Sequence, residues 1–525
     1  MPRVLVGLGG LLSDPSVCVI KDGRIAAAIE QAKVSRSDRP GAFPDEAFNL
    51  ALQVAGIDAD EIGCLAVARP FATGAESQAQ LALRARFSQS EIVVVEHHHA
   101  HAAAAYYLSG FQEGAALSID RAGDFRSAVL FRAQGNELTP VRELYFPDSL
   151  GDLYNRVTDL LGFEPRADEH KVQWLSASGE PACLEAFRKI LHRAQPAWPK
   201  MDRSYFDADH LTQGGFSARF YEETGLRSKE PLTPKEKADL ASSLQAAIEE
   251  TVIATLASAE SVSIGGGLAL NALLIRALEQ RFTKVFVQPV AGNAGTSLGA
   301  VLYAWHNFYR EKARVPFETL CLGPAYSAEE IKKVVENCKL RFRFLLTEGE
   351  LIDQAIRALN DNKIVAWMQG RMEFGPRALG NRSILASPLN PFSTENLNVY
   401  IKHRESFRKF AASVPEEVAS EYFEAGPSAR YLATVARVKP AHRETFSAAL
   451  LGRDLIRVHT VRQEANPLYH SLLTAAGAST GLPVLYNTSF NLFGDPLVCT
   501  PRDAVRSFYS SGIDALFAGS FYLEK

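Results

Sequence analysis

The sequence predicts a mixed α/β protein with an internally repeated N-terminal region and a separate C-terminal domain. The first observation is an opening of three short apolar strands, residues 4–8, 16–20 and 25–29, joined by glycine-containing turns. A hairpin meander of this kind, followed by alternating helices and strands, is typical of a mixed sheet in an α/β fold. The second observation is that the pattern partly restarts after residue 113. The third is a stretch with prolines and glycine, 314–327, that has the composition of a linker.

The elements of the first region are predicted from the periodicity of hydrophobic residues and from the glycines and prolines that end helices and strands. A helix begins after Phe43-Pro44 and ends at Ala55, because Gly56 is placed to terminate it. Further predicted elements are strands at 62–68, 115–119, 127–130 and 261–264 and a helix at 234–257. Two successive hairpins with an aspartate in the turn indicate a duplicated architecture of the actin or sugar-kinase type. We place the domains at 1–345 and 346–525.

Composition and charge narrow the class of protein. The chain has 525 residues, 47% hydrophobic and 22% charged, the balance of an ordinary globular protein. A net charge of −4 and the lack of a basic stripe speak against a nucleic-acid partner. No apolar run reaches the ~18 residues of a membrane helix, and the six cysteines form no CxxC pair. We expect a cytoplasmic protein with reduced thiols and no membrane partner.

The stretch 369–383, QGRMEFGPRALGNRS, is the most informative motif, and we call it the arginine loop. It carries Arg371, Arg377 and Arg382 among three glycines and a proline. Glycine and proline break a helix interior, so these arginines are presented by a bent loop. Guanidinium groups in such a loop suit a carboxylate or a phosphate-like oxyanion, which arginine binds with two parallel hydrogen bonds. The loop predicts an anion site, with a structural arginine cluster as the alternative.

Four of the twelve histidines lie within residues 97–101. His97 and His101 are four residues apart and share one face of a helix, which is the spacing with which two imidazoles bind one metal ion. Asp120, at the end of a predicted strand, is available as a third ligand. A chance histidine run is the alternative, and Asp120 and Asp124 can equally be turn-forming aspartates.

Two glycine loops in the N-terminal domain favour a nucleotide cleft. Gly265-Gly266-Gly267 follows a predicted strand and opens a helix near Asn271, and 289–300 is a loop of the same type. Backbone N–H groups at such turns can bind phosphate, whereas a tight turn is the plain alternative.

Two polar motifs follow in the C-terminal domain. The segment 402–408, KHRESFR, adds cations, and 487–491, NTSFN, follows a predicted strand. The amides and hydroxyls of NTSFN are suited to fixing a carbamoyl or carboxylate group. A solvated basic face and an ordinary polar turn are the respective alternatives.

Taken together, these motifs resemble one family over essentially the whole chain. In order they read HHxxHA, a strand ending in aspartate, GGxALN, the arginine loop, KHRExFR, NTSFN and GDPLV at 494–498. The chain resembles the O-carbamoyltransferases of the nodulation-factor and antibiotic-tailoring type. The resemblance implies an N-terminal duplicated actin-like domain (ASKHA, RNase H-like), similar to the universal tRNA threonylcarbamoyltransferase. It implies a C-terminal YrdC-like domain, similar to threonylcarbamoyl-adenylate synthases.

The resemblance also implies an activity. The C-terminal domain would condense carbamoyl phosphate with ATP, accompanied by Mg²⁺, to carbamoyl-adenylate. The N-terminal domain, with a divalent metal that is typically iron (Fe²⁺), would pass the carbamoyl group to a hydroxyl of a small-molecule acceptor. A homodimer is one open oligomeric state. The implied metal ligands are His97, His101, Asp120 and Asn293; the implied nucleotide contacts are Gly265, Gly266, Asn271 and Lys171; and the implied carbamoyl-phosphate and ATP contacts are Arg371, Arg377, Arg382, Lys402, Arg404, Asn487 and Ser489.

The chain departs from the family pattern mainly in its N-terminal domain. Ser13 stands where histidine is usual, Asp38 where lysine is usual, and Arg121 where glycine is usual. Asn293 replaces an aspartate that would complete the metal site, and a neutral amide is a weaker ligand for a hard cation. We therefore expect carbamoyl-adenylate formation to be intact and acceptor transfer to be altered.

Two alternatives follow from the same residues. One is a protein of the same fold whose transfer site is degenerate, acting as a carbamoyl-adenylate former or as a ligand-binding scaffold. The other is a kinase-like ATPase, in which the arginine loop and the NTSFN segment would have no role. The acceptor cannot be read from any motif.

Overall fold

The computed structural model describes residues 3–37, 39–69, 75–194, 198–207, 212–227, 230–405, 407–492 and 494–525. Asp38 lies outside these residues. The described part contains two five-stranded sheets, a two-stranded hairpin and a ten-stranded sheet. Among the helices of this part, none has both the length and the apolar character that crossing a lipid bilayer requires.

The first unit is a five-stranded sheet with the order β3-β2-β1-β4-β5. Its elements are β1 Val4–Gly9, β2 Ser16–Lys21, β3 Arg24–Glu30, α1 Gln31–Ser35, α2 Asp45–Ala55, β4 Cys64–Ala68, α3 Ala75–Arg86, β5 Glu91–Val95 and α4 His97–Leu108. Strands β1 to β3 form an antiparallel meander, and β4 and β5 extend the sheet in parallel from β1. Helix α2 ends at Gly56, in the left-handed conformation, as the sequence predicts.

The second unit repeats this topology. Its elements are β6 Glu113–Gly123, β7 Arg126–Gln134, β8 Glu137–Tyr145, α5 Leu150–Leu160, α6 Glu169–Ser176, α7 Leu184–Ile190, β9 Leu191–Ala194, β10 Trp198–Met201, α8 Ala218–Thr224, α9 Pro234–Thr255, β11 Ser261–Gly265, α10 Ala272–Arg281, β12 Lys284–Val287 and α11 Gly295–Tyr303. Its sheet has the order β8-β7-β6-β11-β12. The meander β6–β7–β8 is antiparallel, and β11 and β12 follow in parallel. The predicted duplication is therefore present in the strand order.

The third unit is a ten-stranded mixed sheet with the order β13-β22-β21-β14-β15-β20-β16-β19-β18-β17. Its elements are α12 Ala328–Asn337, β13 Arg343–Phe344, α13 Glu348–Asn360, β14 Val365–Met368, β15 Arg382–Ala386, α14 Ser393–Asn396, β16 Ala411–Pro415, α15 Ala419–Tyr422, β17 Phe423–Glu424, β18 Val435–Val438, β19 Leu455–Val461, α16 Pro467–Thr480, β20 Leu485–Ser489, α17 Pro501–Tyr509, β21 Ala515–Ala518 and β22 Phe521–Glu524. The predicted boundary between 345 and 346 lies just after β13. Because β13 pairs with β22, and Ile331 of α12 packs in the core of this sheet, the C-terminal unit already includes 328–344.

The N-terminal unit holds the arginine loop with a buried ion pair. Lys33 Nζ lies 2.8 Å from Glu30 Oε2 and donates to the carbonyl oxygens of Glu373, at 2.9 Å, and Gly375, at 2.6 Å. Glu30 Oε1 accepts from the Gly375 N–H at 2.9 Å. Gly375 has a φ of +102°, and a Cβ there would lie 2.7 Å from a methyl of Val290. Only glycine therefore lets the loop lie against the second glycine loop.

We expect Lys33→Met to destabilise the folded chain strongly, because Glu30 would remain as a buried carboxylate without its cation. The expected loss in the free energy of unfolding is about 3–5 kcal/mol, measured by urea denaturation. The matched control is Lys332→Met. Lys332 forms an exposed ion pair with Glu336, with an N–O distance of 3.6 Å, and its replacement should cost less than about 0.5 kcal/mol. Equal losses in the two variants would contradict the structural role of the pair.

Candidate functional site

The arginine loop is organised by the buried carboxylate of Glu373. Its Oε1 accepts from the backbone N–H groups of Leu379, Asn381 and Arg382, at 2.7, 2.9 and 3.2 Å. Three donors on one oxygen fix the curvature of the loop without any regular hydrogen-bond ladder. Asn487 Nδ2 donates to the Ala378 carbonyl at 3.1 Å, which ties the loop to β20.

Two of the three loop arginines bind backbone carbonyls, which differs from the ligand-contacting role expected of them. Arg371 donates to the carbonyl oxygens of Gly323, Ala26 and Leu322 at 2.6–2.9 Å. Arg382 is fully buried, and its strongest hydrogen bond is 2.5 Å to the Gln369 carbonyl. These two guanidiniums therefore hold the loop in place; Arg382 Nε is buried without a partner among the described residues, and the ligand contacts of both arginines stay predictions.

Arg377 is different, because its guanidinium has no hydrogen bond or ion pair within the described residues. It lies close enough to Arg408 and Arg457, and these two to Arg404, for the groups to disfavour one another's charge. We call these four side chains the arginine cluster. The described chain places no carboxylate within ion-pair distance of them, whereas Asp168 and Glu405 pair with Lys171, at 3.0 and 2.8 Å.

The cluster is desolvated as well as positively charged. Burial, followed by repulsion from Arg408, lowers the pKa of Arg377 to about 10 and that of Arg404 to about 9. Burial and the neighbouring arginines hold the pKa of Arg457 well below its usual range. Glu405 and Asp168 act on Arg408 only from beyond ion-pair distance, so this desolvated cluster of like charges favours an anionic ligand. Arg408 and Arg457 were not among the predicted site residues; Arg408 lies in the KHRESFR segment, whereas no motif marked Arg457.

The floor of this site is one face of the ten-stranded sheet. Ala411 of β16 is the register partner of both Arg457 on β19 and Asn487 on β20. The two polar side chains therefore share a face and lie roughly 10 Å apart, across two strand spacings. Ser489, two residues after Asn487, lies on the same face, and its Oγ donates to Asn491 Oδ1 at 2.7 Å.

Two predicted lysines lie at the edge of the cluster with oxygen partners of their own. Lys402 Nζ donates to the Ser489 carbonyl and to both side-chain and backbone oxygens of Asn491, at 2.6–2.9 Å. Burial, followed by Arg404, lowers the pKa of Lys402 well below its usual range. Lys171, on α6, joins the two domains through Glu405. It lies beside the arginine cluster, and its expected nucleotide contact stays a prediction.

In the N-terminal domain, His97, His101 and Asp120 come together. His97 Nε2 lies 3.2 Å and His101 Nε2 3.3 Å from Asp120 Oδ2, and one ligand atom from each residue fits within 4.8 Å of the others. Both imidazoles stand at the start of α4, and Asp120 lies within β6. His101 Nε2 is buried without a well-formed hydrogen bond, so the donor set fits a divalent ion. Two imidazoles and one carboxylate are the ligands of non-haem iron(II) sites, among others.

The electrostatics of this histidine–aspartate group agree with metal binding. Although burial opposes its ionisation, hydrogen bonds from the two imidazoles keep the pKa of Asp120 well below its usual range. Burial lowers the pKa of His101, which favours the neutral ring that a metal ion requires. His98, by contrast, is structural: its Nδ1 bonds Ser118 Oγ at 2.7 Å and its Nε2 the Arg126 carbonyl at 3.1 Å.

Asp124 holds the first residue of the histidine helix by a hydrogen bond to its backbone. Its Oδ2 accepts from the His97 N–H at 2.8 Å, at the N-terminus of α4, and its Oδ1 accepts from Arg69 at 3.0 Å. A carboxylate at the N-terminus of a helix is favoured by the helix dipole. The sequence left open whether each aspartate is a metal ligand or a turn-forming residue. In the structure, Asp120 lies with the histidines, whereas Asp124 caps their helix.

The first glycine loop backs directly onto Asp120. Gly266 has a φ of +93°, and a Cβ there would lie 2.2 Å from the Ile119 carbonyl; a Cβ on Gly267 would lie 3.0 Å from Asp120 Oδ1. The backbone of this loop therefore lies close to the Asp120 carboxylate, which a side chain on Gly267 would crowd. Asn271 caps α10 with its Oδ1 and donates to Gln245 at 2.8 Å, so its side chain serves the fold.

Two of the residues that depart from the family pattern bond to each other. Asn293 Nδ2 donates to Ser13 Oγ at 2.7 Å, while Asn293 Oδ1 is buried without a partner. No contact joins Asn293 to the histidine–aspartate group among the described residues, so its predicted ligand role stays a prediction. Arg121 turns away from Asp120 toward Asp152, at 3.5 Å.

The arginine cluster and the histidine–aspartate group are two candidate sites in different units of an α/β protein. Two family models match the chain, Carbamoyltransferase N-terminus over residues 71–302 and Carbamoyltransferase C-terminus over residues 356–525. An uncharacterized protein of Synechocystis is 30% identical, with 99% of this chain and 96% of that protein covered. Nodulation protein NolNO of Sinorhizobium fredii is 32% identical, with 98% of this chain and 79% of that protein covered.

A third relative has an enzymatic name. The 3'-hydroxymethylcephem-O-carbamoyltransferase of Amycolatopsis lactamdurans is 31% identical, with 50% of this chain and 48% of that protein covered. The chain belongs to the carbamoyltransferase family and is a transferase enzyme.

We expect the purified protein to retain a divalent metal ion that Asp120→Asn loses, because the amide cannot replace the negative charge of the carboxylate ligand. Metal content is measured by mass spectrometry after dialysis. The control is Asp152→Asn, the same change at a nearby carboxylate that pairs with Arg121 and Arg156. If the two variants retained equal amounts of metal, Asp120 would not be a ligand.

We expect the arginine cluster to bind inorganic pyrophosphate, and Arg377→Gln to weaken that binding by roughly 10- to 100-fold, the worth of a charge-assisted hydrogen bond. Isothermal titration calorimetry measures the affinity. Arg443→Gln, at an exposed arginine paired with Asp454, is the matched control. Arg371→Gln should lower the melting temperature instead, because it removes bonds to three carbonyls. An unchanged affinity in Arg377→Gln would remove this residue from the anion site.

Proposed function

We propose that this transferase is an ATP-dependent O-carbamoyltransferase with two separate sites. In the C-terminal site, carbamoyl phosphate, ATP and water give carbamoyl-adenylate, pyrophosphate and inorganic phosphate. In the N-terminal site, a hydroxyl of a small-molecule acceptor, a natural product or a sugar, takes the carbamoyl group and AMP leaves. The observation that carries the proposal is the arginine cluster, four guanidiniums without a carboxylate partner in the described chain.

The chemistry of the first step suits the cluster. Carbamoyl phosphate and ATP together bring several phosphate oxyanions to one place, and their mutual repulsion opposes the reaction. Arg377, Arg404, Arg408 and Arg457 would neutralise this charge from fixed positions, while Asn487 would bind the carbamoyl end. Adenylation is dominated by such positioning and charge neutralisation. Mg²⁺ would accompany ATP as it does in other nucleotide-dependent enzymes.

The second step would use the N-terminal group. His97, His101 and Asp120 would hold a divalent ion, with iron expected from the family resemblance, which would polarise the reacting oxygen when bound. The glycine loop 265–267, which lies against Asp120, would receive the nucleotide part of carbamoyl-adenylate. The repeated strand order supports an actin-like assignment of residues 1–345. We likewise assign the ten-stranded unit to the YrdC-like type.

One observation favours a second candidate function, a carbamoyl-adenylate former with an altered transfer site. Ser13 and Asn293 both replace residues usual in the family, and the Asn293 amide nitrogen donates to Ser13 Oγ at 2.7 Å. Two substitutions that compensate structurally maintain the fold of the turn without restoring a charged ligand.

The test separates the two half-reactions. Purified protein should catalyse pyrophosphate exchange into ATP only when carbamoyl phosphate is present. Arg377→Gln should reduce this exchange roughly 100-fold, the usual cost of one preorganised charge-stabilising donor. Asp120→Asn should leave the exchange rate unchanged, because the histidine–aspartate group belongs to the other site.

Acceptor transfer is measured by mass spectrometry as the gain of a carbamoyl group on a panel of hydroxylated natural products and sugars. Transfer that Asp120→Asn abolishes supports the full reaction. Exchange without transfer across the panel supports the second candidate. A folded wild-type protein without carbamoyl-phosphate-dependent exchange would overturn both.

A further inference from the structure

The side chain of Asn487 carries a buried acceptor without a donor. Its nitrogen donates to the Ala378 carbonyl at 3.1 Å and to Ser413 Oγ at 3.2 Å, which uses both protons of the amide. Because a carbonyl can only accept, the nitrogen must face Ala378, and this fixes the orientation of the amide. Asn487 Oδ1 then has no partner in the described chain. A buried acceptor without a donor is unfavourable, and a ligand N–H group would remove that cost.

The orientation of Asn487 is relayed to a buried histidine. Ser413 Oγ lies 3.2 Å from His459 Nδ1. Since Ser413 accepts from Asn487, its hydroxyl proton needs an acceptor, and Nδ1 of a neutral imidazole is one. Burial lowers the pKa of His459 to about 3, which keeps the ring neutral. The ring also stacks on Tyr469, with centroids 6.1 Å apart and planes 20° apart, so its position is fixed.

The relay lies on the face that carries the arginine cluster. Ser413 and His459 are register partners on β16 and β19, two residues along from the pair Ala411 and Arg457. Residues two apart on a strand point to the same face, so the relay and Arg457 line one surface. Ala378, which receives the Asn487 amide, directly follows Arg377. The orphan oxygen and the arginine cluster are therefore parts of one site.

A ligand that satisfies both parts needs an oxyanion at one end and an N–H donor at the other. Carbamoyl phosphate has this arrangement, since its phosphate suits the guanidiniums and its amino group suits an amide oxygen. Acetyl phosphate has the same phosphate and carbonyl, but it presents a methyl group where the amino group would be. With acetyl phosphate bound, Asn487 Oδ1 would stay unpaired.

We propose that Ser413 and His459 are positioning residues that hold the Asn487 amide so that its free oxygen selects carbamoyl phosphate over acetyl phosphate. The inference rests on the proposed function, because it assigns the source of acyl specificity in the C-terminal site. A site built to bind an N–H group discriminates against an analogue that lacks it more strongly than an apolar pocket can.

The test compares three named ligands on the full chain by isothermal titration calorimetry. Wild-type protein should bind carbamoyl phosphate roughly 10- to 100-fold more tightly than acetyl phosphate, the worth of one unsatisfied buried acceptor. Ser413→Ala and His459→Leu should bring this ratio close to one, mainly by weakening carbamoyl phosphate. Binding of inorganic phosphate, which has no acyl end, should stay unchanged in both variants.

The conservative variant His459→Gln should keep most of the preference, because its amide oxygen can accept from Ser413. Ser507→Ala, which removes another buried serine hydroxyl from α17, is the matched control and should keep the wild-type ratio. Equal weakening of all three ligands would show that the relay is merely structural, and an unaltered ratio in Ser413→Ala would show that it does not orient Asn487. Either result overturns the inference.

Pyrophosphate exchange on the same proteins keeps this inference distinct from the proposed function. If wild-type protein shows no exchange but discriminates between the two acyl phosphates through Ser413, the inference stands and the proposed reaction falls. If exchange occurs with equal efficiency for carbamoyl and acetyl phosphate, the inference falls and the adenylating activity stands.

Discussion

Three cations that bind backbone carbonyls hold the centre of this molecule together: the buried Lys33 and Arg382 and the half-buried Arg371. Lys33 donates to the arginine loop from the N-terminal unit, and Arg371 and Arg382 donate from the loop to the linker and to the loop's own backbone. A buried cation needs partners: Lys33 has the Glu30 carboxylate as well as carbonyl oxygens, whereas Arg371 and Arg382 donate to carbonyl oxygens. Because the loop is fixed in this way from both sides, Arg377 can remain unpaired and face the other arginines. The anion site depends on this arrangement, since a mobile loop would let Arg377 find solvent or a carboxylate.

The two sites use electrostatics in opposite ways. The arginine cluster concentrates positive charge with no carboxylate of the described residues within ion-pair distance, so a bound oxyanion would stabilise it. The histidine–aspartate group brings ligand atoms of three side chains close to one point, so a bound cation would stabilise it. Lys171 and Glu405 join the domains beside the cluster, which makes their relative position part of the C-terminal site.

Much of the fold was predictable, because strands and turns depend on hydrophobic alternation and turn residues that are close together in the sequence. The meander β1–β3, the glycine that ends α2 and the restart at β6 all follow from alternation and punctuation, and the strand orders confirm the duplication. The domain boundary was placed too late, because β13 is a two-residue edge strand whose partner, β22, lies at the end of the chain. A pairing over that separation leaves no local signal.

The sequence by itself determined which residue types carry the chemistry: the spacing of His97 and His101 and the presence of arginines on a glycine-rich loop. The tertiary structure decided which of those residues are free to bind a ligand. Arg371 and Arg382 are used on carbonyls, Asn271 caps a helix, and Arg457 enters the site from a strand that no motif marked. The physical reason is that the fold determines how many donors of a side chain are already used: Arg371 donates to three carbonyls, whereas Arg457 donates to one. That balance depends on long-range contacts, which local sequence patterns do not record.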